Sequence, residues 1–337
     1  MQLALAQARR GIGLTAPNPP VGAVILRDGQ VLGQGYHQKA GGPHAEIEAL
    51  RAAAAAGQDV SGATIFITLE PCSTQGRTPP CVEALIAAQL ARVVWGASDP
   101  NPAHEGRAEP ILRAAGPAVT TGVCKMECEE ILRPFAKRIT TGLPWVLAKA
   151  GMSLDGRITR PAGEGPWITG PESRDDAMLL RSSCEAILAG AETIRQDNPA
   201  LTVREPALRP GQVQPWRVIV TKSGELPPAA KVFTDRHRDR TLVFREQLFE
   251  NVLRDLAARG VISVLIEGGG QVLASAFSGG WVDEVVFYTA PLISGSGLPV
   301  VASSAFSGGS VELQFIDCKR VADDLRIHAL VKKTAPP

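Results

Sequence analysis

The sequence predicts an α/β protein made of two successive domains. Its 337 residues allow two cores, at about 150 residues per domain. Runs of strand character alternate with helical patterns along most of the chain, as in layered α/β sheets. Near the middle, Thr140-Thr141-Gly142-Leu143-Pro144 interrupts the alternation, and Gly and Pro end helices. The boundary is placed there, giving domains 1–142 and 143–337.

In the first domain, Leu3, Leu5 and Ala8 lie on a helical spacing that stops at Gly11 and Gly13, so Met1–Arg10 reads as a helix. Val21–Leu26, the turn Asp28-Gly29 and Val31–Gly35 form a hairpin signal. His44–Ala56 is Ala-rich and helical, and Ala63–Leu69 is a short strand. Pro79-Pro80 opens a helix over Cys81–Leu90. Ala91–Gly96 is a further strand; Ile111–Ala115 and Val119–Val123 continue the alternation, and Glu127–Arg138 reads as a helix. In the second domain, Val146–Ala150, Ala186–Ala189, Arg217–Val220, Thr241–Phe244, Ile262–Ile266 and Glu284–Tyr288 read as strands. Arg174–Ser182 and Gln271–Phe277 read as helices, and no internal repeat is visible.

Composition excludes several functions. Hydrophobic residues make up 45% of the chain, enough for ordered cores. The 35 Lys and Arg nearly balance 34 Asp and Glu, which argues against gripping nucleic acid or membranes by bulk charge. With 9 Phe, 5 Trp and 2 Tyr, a base-stacking platform is also a poor fit. Six Cys are too sparse for a disulfide scaffold. No run approaches the ~18 apolar residues of a membrane span, and Arg9 and Arg10 follow the short apolar start rather than precede it, unlike a secretory signal. The expectation is a soluble cytoplasmic protein whose Cys residues are thiols, metal ligands or core.

The strongest chemical signal is Pro43-His44-Ala45-Glu46, then Pro71-Cys72, then Pro79-Pro80-Cys81. One imidazole and two thiolates suit zinc and leave a fourth position open, as catalytic zinc requires. A Cys opening a helix gains thiolate character from the helix dipole. Glu46 stands two residues beyond His44, about 200° around a helix, and is assigned to proton handling rather than to metal. H-x-E with P-C and a second Cys is the zinc deaminase signature, in which water attacks an amino-bearing ring carbon. A lone His-Ala-Glu is often chance and a Cys pair often core; their order, with Pro before each Cys, favours the metal. The spacing C-x8-C departs from the commoner C-x2-C, which makes Ser73–Pro80 a loop beside the metal.

Several stretches closely resemble the bifunctional riboflavin-biosynthesis deaminase/reductase family. They are Thr15-Ala-Pro-Asn18-Pro, Val21-Gly22, His44-Ala-Glu46, Leu69-Glu-Pro-Cys72-Ser, Gly76-Arg-Thr-Pro-Pro-Cys81 and Asp99-Pro-Asn101-Pro. The second half resembles the same family's reductase in Lys149-Ala-Gly-Met-Ser153-Leu-Asp155-Gly-Arg157, Trp167-Ile-Thr169, Leu180-Arg181, Asp197-Asn-Pro-Ala-Leu201-Thr-Val-Arg204 and Glu267-Gly-Gly-Gly270. In that family the C-x8-C spacing is the norm. The resemblance implies a cytidine-deaminase-like three-layer α/β/α domain followed by a dihydrofolate-reductase-like α/β domain. It implies deamination of 2,5-diamino-6-ribosylamino-4(3H)-pyrimidinone 5′-phosphate, then NADPH-dependent reduction of the ribosyl to a ribityl chain, giving 5-amino-6-ribitylaminouracil 5′-phosphate.

By the same resemblance, His44, Cys72 and Cys81 hold zinc and Glu46 is catalytic, transferring protons. Asn18, His37, Arg77, Asp99 and Asn101 are candidate contacts to the pyrimidine and its phosphorylated sugar. From the residues alone, Asn18, Asp99 and Asn101 are equally turn residues, Arg77 a solvated loop residue and His37 a surface histidine. Two loops depart from the family: Thr74-Gln75 follows Cys72-Ser73 where His is usual, and Gly106-Arg107-Ala108 replaces a usual G-x-G. They bear on substrate contacts, not on the zinc chemistry.

No G-x-G-x-x-G opens a βαβ unit in the second half. Instead Val261–Ile266 ends in Glu267-Gly268-Gly269-Gly270 before a helical pattern, which lets backbone N–H groups approach a phosphate or simply makes a tight turn. The resemblance favours the phosphate site. It makes Gly151, Trp167, Thr193, Asp197, Gly268, Gly269 and Gly270 candidates for NADPH, and Arg181, Leu201, Arg204 and Glu267 candidates for substrate. Trp167 is equally a core residue and Arg181 a surface one. Lys149, a charge within an apolar strand, is expected near the ribose. Asp155 and Lys149 are candidate proton donors, though Asp155-Gly156 is also a turn signal. Lys222 stands where an Asp-Ser-like pair is usual and is expected to favour the 2′-phosphate of NADPH.

The expected partners are a small phosphorylated pyrimidine and further copies of the chain, as a dimer or tetramer, with no nucleic acid and no membrane. A nucleoside or tRNA deaminase shares His-Ala-Glu and Pro-Cys but leaves residues 145–337 unexplained. A scaffold with a structural zinc and an inactive reductase half would more often supply four protein ligands, for which Cys124 or Cys128 would have to fold back. Cys124 and Cys128 read as packing, and Cys184 and Cys318 as core thiols.

Overall fold

A computed structural model describes residues 1–74, 79–222 and 224–332. The chain divides into two compact units, Met1–Leu143 and Pro144–Pro337.

The first unit runs α1 (Gln2–Gly11), β1 (Gly22–Arg27), β2 (Gln30–Tyr36), α2 (Ala45–Ala55), β3 (Thr64–Leu69), α3 (Cys81–Ala87), β4 (Arg92–Ala97), α4 (Ala108–Ala115), β5 (Ala118–Thr120) and α5 (Lys125–Thr141). Its sheet has the order β2-β1-β3-β4-β5. The hairpin and the β1/β3 pair are antiparallel, whereas β3, β4 and β5 are parallel. Ala23, Ile25, Ile65, Ile67, Val93 and Trp95 pack with α2, α3 and α4 through Ala49, Leu85 and Leu112. A second cluster joins Leu5 of α1 and Cys128 and Leu132 of α5 to Leu69 and Ala97. Helices thus cover both faces, so alternate side chains of the central strands are buried on either side. Gly96 has to be glycine: a Cβ there would lie 2.1 Å from the Cys128 Sγ. Helix α5 ends at Gly142, whose φ is 75°; the two threonines before it are still helical.

The second unit runs β6 (Trp145–Ser153), α6 (Pro171–Ser182), β7 (Ala186–Gly190), α7 (Ala191–Asp197), β8 (Trp216–Thr221), α8 (Lys231–Thr234), β9 (Thr241–Arg245), α9 (Phe249–Ala258), β10 (Ser263–Ile266), α10 (Gly270–Ser278), β11 (Glu284–Ala290), β12 (Leu313–Val321) and β13 (Asp324–Val331). Its sheet has the order β12-β13-β11-β6-β10-β7-β8-β9. The strands from β11 to β9 are parallel, and β12 and β13 extend them as an antiparallel hairpin. The parallel strands therefore end at one edge, where open α/β sheets place their ligands.

The sequence reading missed α7, α8, α9, β12 and β13. The α9 helix had a signal in the helical spacing of Val252, Leu253, Leu256 and Ala257, all buried. Strand β12 had none, because it forms the sheet edge and is exposed along nearly its whole length. That position corrects the expectation for Cys318: its thiol is exposed on β12 rather than core, because no layer covers it. Cys184 is buried as expected.

Candidate active sites

The first site gathers where α2 and α3 begin. His44 is the N-cap of α2, with extended backbone (φ −72°, ψ 165°), and Glu46 lies in the first turn. The 200° separation expected on a helix therefore does not apply, because His44 precedes the helix. Glu46 lies buried beside the Cys81 thiol. Cys72 follows β3, and Cys81 is the first residue of α3 after Pro80.

His44 Nδ1 lies 3.4 Å from Cys72 Sγ and 3.3 Å from Cys81 Sγ. The three ligand atoms lie within 4.8 Å of one another. Tetrahedral zinc, with bonds of about 2.0–2.3 Å, spaces its ligands by about 3.5 Å, so the set fits the metal. Cys72 also accepts the Cys81 N–H at 3.3 Å. The paired Cys81 thiol, with the Cys81 N–H and His44, draws Cys72 down to about 4 against the opposing effect of burial. Cys81 is pushed up because it holds its proton against that thiolate, and a divalent cation is the natural replacement for that proton. Among the described residues, neither Cys124 nor Cys128 joins the set. Burial raises the Glu46 carboxyl above its ordinary value, against the opposing effect of His44, as suits a group that takes and returns a proton.

His37 is buried, not a surface histidine. Its Nδ1–H donates to the Pro43 carbonyl at 2.9 Å, which leaves Nε2 to accept the Asn18 amide N–H at 3.1 Å. Burial lowers its pKa, in keeping with that neutral tautomer. Its ring meets His44 edge-on at 5.5 Å. Asn18 and His37 are thus tied together next to the metal set. Asp99 and Asn101 spend side-chain oxygens on turns, accepting the Asn101 and Ala103 N–H groups at 2.9 and 3.0 Å. Arg77 and Gln75 lie outside the described residues. The residue the sequence reading missed is Glu70. It is buried and accepts the N–H groups of Asp99, Gly106 and Ala108 at 3.3, 3.0 and 3.1 Å. Its signal was a carboxylate two residues before Cys72. Because these bonds reach main-chain groups, they hold the 99–108 loop despite its unusual side chains. Thr74 pairs with His104 at 3.0 Å.

The second site lies at the carboxyl edge of the parallel strands. Arg181 of α6 grips Glu267 through Nε and Nη2, at 2.8 and 2.6 Å, and donates Nη1 to the Thr202 carbonyl at 2.9 Å. Arg181 is therefore inside the fold, not a surface helix residue. Burial alone would raise Glu267, but Arg181, Lys149 and Arg204 outweigh it and hold the carboxyl at about 2. Three cations around one anion leave net positive charge, as a phosphate requires.

The glycines divide. A Cβ on Gly268 would lie 2.8 Å from Val272, and one on Gly270 would lie 2.3 Å from the Pro299 carbonyl, whereas one on Gly269 meets nothing within 4 Å. Packing demands the first and third; the middle one, the N-cap of α10, has open space around it. Gly151 faces Thr169 closely, at 3.1 Å from its Cβ position. Trp167 is 62% exposed and lies under the Arg174 guanidinium at 4.4 Å, so it is not core. Thr193 and the exposed Asp197 sit on α7. Leu201 adopts φ 49° and packs in the core with Ile187, Ile194 and Ile219, which leaves its main chain, not its side chain, for a ligand. Lys222 is exposed just past β8.

Asp155 accepts the Ser153 hydroxyl and the N–H groups of Ser294 and Gly295, at 2.6, 2.9 and 2.8 Å, and is drawn down to about 2, chiefly by the serine hydroxyl. It ties two loops together as an anion and has no proton to donate at neutral pH.

Comparison with known proteins agrees in both halves. Residues 144–327 match the RibD C-terminal domain family, and residues 1–97 match the cytidine and deoxycytidylate deaminase zinc-binding region. The chain is 38% identical to riboflavin biosynthesis protein RibD of Escherichia coli, over 97% of each chain. It is 37% identical to RibD of Bacillus amyloliquefaciens, over 98% of this chain and 95% of the relative. Among solved structures, Acinetobacter baumannii RibD superposes with a TM-score of 0.87 at 35% identity, covering 98% of each chain. The Thermotoga maritima diaminohydroxyphosphoribosylaminopyrimidine deaminase/5-amino-6-(5-phosphoribosylamino)uracil reductase gives a TM-score of 0.87 at 33% identity, covering 98% of this chain and 97% of that one.

Proposed function

The chain belongs to the RibD family of bifunctional deaminase/reductases of riboflavin biosynthesis, and from that premise we propose how its residues divide the two reactions. The unit before Leu143 carries the deaminase and the unit after it the reductase. In the first, His44, Cys72 and Cys81 hold zinc, which supplies the Lewis acidity that activates water at neutral pH. Glu46 takes the proton from the attacking water and delivers it to the departing amine. Its raised pKa brings it closer to neutrality, where such transfers are efficient. Asn18 is aimed by neutral His37 toward the pyrimidine, and the Glu70-held loop places Asp99 and Asn101 at the rim. Arg77 contacts the substrate phosphate.

In the second unit, Gly269 and the first turn of α10 receive the phosphates of NADPH, which supplies the reducing equivalents. Gly268 and Gly270 shape that turn, with Gly151, Trp167, Thr193, Asp197 and Lys222 along the cofactor. Lys149 and Arg204 bind the phosphorylated ribosyl chain, and the Arg181–Glu267 pair fixes the floor between them. Leu201 contributes main-chain contact. With Asp155 held ionised, Lys149 is the remaining proton donor of the two candidates.

The substrate is a small phosphorylated pyrimidine, and nucleic acid is not a partner, as the balanced charge supports. The proposed site of action is the cytoplasm; among the described residues no helix is long and apolar enough to cross a membrane. The exposed edge strand β12, with Phe315 and Ile316 open to solvent, supports a homo-oligomer, a dimer or tetramer.

The observation that carries the deaminase assignment is a buried Glu46 beside a zinc-spaced His44, Cys72 and Cys81. Glu46→Gln tests it. Zinc content should be retained, ammonia release should fall about 10²–10⁴-fold, and NADPH oxidation on supplied deaminated substrate should be unchanged. Retained ammonia release would overturn the assignment.

A further inference from the structure

Arg204 opens a surface loop, residues 204–213, whose two ends are pinched together by a side chain. Gln214, 7% exposed, accepts the Val203 N–H through Oε1 at 2.8 Å and donates Nε2–H to the Val203 carbonyl at 2.8 Å. A residue on a neighbouring antiparallel strand would exchange the same two bonds. Here one buried amide supplies both.

The residues just before Arg204 are gripped in a similar way. Arg217 of β8, 1% exposed, donates to the Ala200 carbonyl at 3.1 Å while also holding Asp235 and the Val232 carbonyl. Arg181 holds the Thr202 carbonyl. Leu201 between them keeps a left-handed backbone, which a residue with a Cβ adopts only when its surroundings over-determine it. The far side of the loop is tied to α6, where Gln212 donates to the Ser182 carbonyl at 2.6 Å. The main chain just before Arg204 is thus held at Ala200, Thr202 and Val203, and the loop beyond it is tied to α6 by the Gln212 side chain. Among the described residues, no hydrogen bond or ion pair fixes the Arg204 guanidinium, so its aim is set by the backbone beneath it.

We propose that Gln214, backed by Arg217, is a positioning residue for the reductase: it closes the neck of the 204–213 loop and thereby aims Arg204 at the substrate phosphate. The proposal rests on the reading of Arg204 as a phosphate ligand. An ångström of misplacement at a binding group costs on the order of a hundredfold in rate or affinity, so a side chain that fixes the neck controls substrate capture without touching substrate. The turn at Gly269 follows β10, whereas the 204–213 loop leads into β8, so the proposal expects NADPH affinity to stay unchanged.

The test uses the full-length enzyme as Gln214→Leu, Gln214→Glu, Arg204→Ala and the Gln214→Leu/Arg204→Ala double variant. NADPH oxidation is followed on 5-amino-6-(5-phosphoribosylamino)uracil and on the same compound without its phosphate. Deamination and NADPH affinity report that both units are folded. Gln214→Leu should raise KM for the phosphorylated compound about tenfold or more, change kcat less than about threefold, and barely alter turnover of the unphosphorylated one. Gln214→Glu keeps an acceptor for the Val203 N–H and loses the donor, so its KM should fall between. The double variant should be no worse than Arg204→Ala. An unchanged KM in Gln214→Leu beside a raised one in Arg204→Ala overturns the proposal and spares the phosphate-ligand reading. Equal losses on both compounds, or lost NADPH affinity, mark Gln214 as merely structural and also overturn it. An unchanged KM in Arg204→Ala removes the phosphate-ligand reading and the proposal with it.

Discussion

Replacing Glu267 by Gln removes the anion that Arg181 grips and whose charge Lys149 and Arg204 feel without touching it. The Arg181 and Glu267 side chains are only 12% and 10% exposed, so solvent screens the pair weakly. A carboxyl displaced from 4.5 to about 2 corresponds to about 3 kcal/mol of preference for its ionised form in the folded protein. Breaking one side of a buried ion pair costs about 3–5 kcal/mol by an independent route. The Glu267→Gln variant should therefore lose about 3 kcal/mol, or roughly 6–12 °C in the melting of the second unit. Urea unfolding of the full chain measures the loss, with hydrogen exchange at the β6 and β10 amides reporting that unit. The sign of the pH dependence follows from the depressed pKa. The stabilisation is complete above about 4.5 and disappears as pH falls from there through about 2, so variant and wild type should converge near the acid end. The Arg181→Met/Glu267→Gln double variant removes both charges and should recover most of the loss. A loss below about 1 kcal/mol in the single variant, or a double variant less stable than the single, would refute this account of the pair.

Two further predictions concern the same unit. Gly270→Ala drives a Cβ to 2.3 Å from the Pro299 carbonyl and should cost about 1–3 kcal/mol of stability; Gly269→Ala meets open space and should stay within about 1 kcal/mol while weakening NADPH binding in a fluorescence titration. Similar stability losses in the two would contradict the division of the glycines. Glu185 is raised to about 7 by burial, although the Ser263 hydroxyl and the N–H groups of Ser263 and Ile262 donate to it. Its raised pKa makes the second unit lose stability as pH climbs from about 4.5 through 7, and Glu185→Gln should flatten that slope in pH-dependent unfolding; a variant with the wild-type slope would show that another group titrates.

Much of the fold was legible because periodicity is local. A hairpin turn at Asp28-Gly29, helix-opening prolines before Cys81 and apolar runs such as Val146–Ala150 announce their elements without knowledge of their neighbours. The elements that escaped depend on neighbours. Nothing local in Leu313–Val321 says that it will lie exposed at a sheet edge, so Cys318 looked like core. The same holds at the sites. His44, Cys72, Cys81 and Glu46 were readable because metal chemistry restricts residue type and order. Glu70, Gln214 and Arg217 were not, because their partners are main-chain groups, which any sequence supplies.

What the sequence by itself supplied was donor types: an imidazole, two thiols and a carboxyl in the order that zinc chemistry uses, and a glycine run at the end of a strand. Only the tertiary structure decided how those groups are poised. It put His44 at a helix cap rather than on the helix, paired Arg181 with Glu267 across 86 positions, kept Asp155 ionised and made Gln214 the clasp of a loop. Donor types are properties of residues and survive in one dimension. Burial, charge balance and aim are sums over neighbours, and those neighbours are assembled only when strands distant in sequence pair side by side.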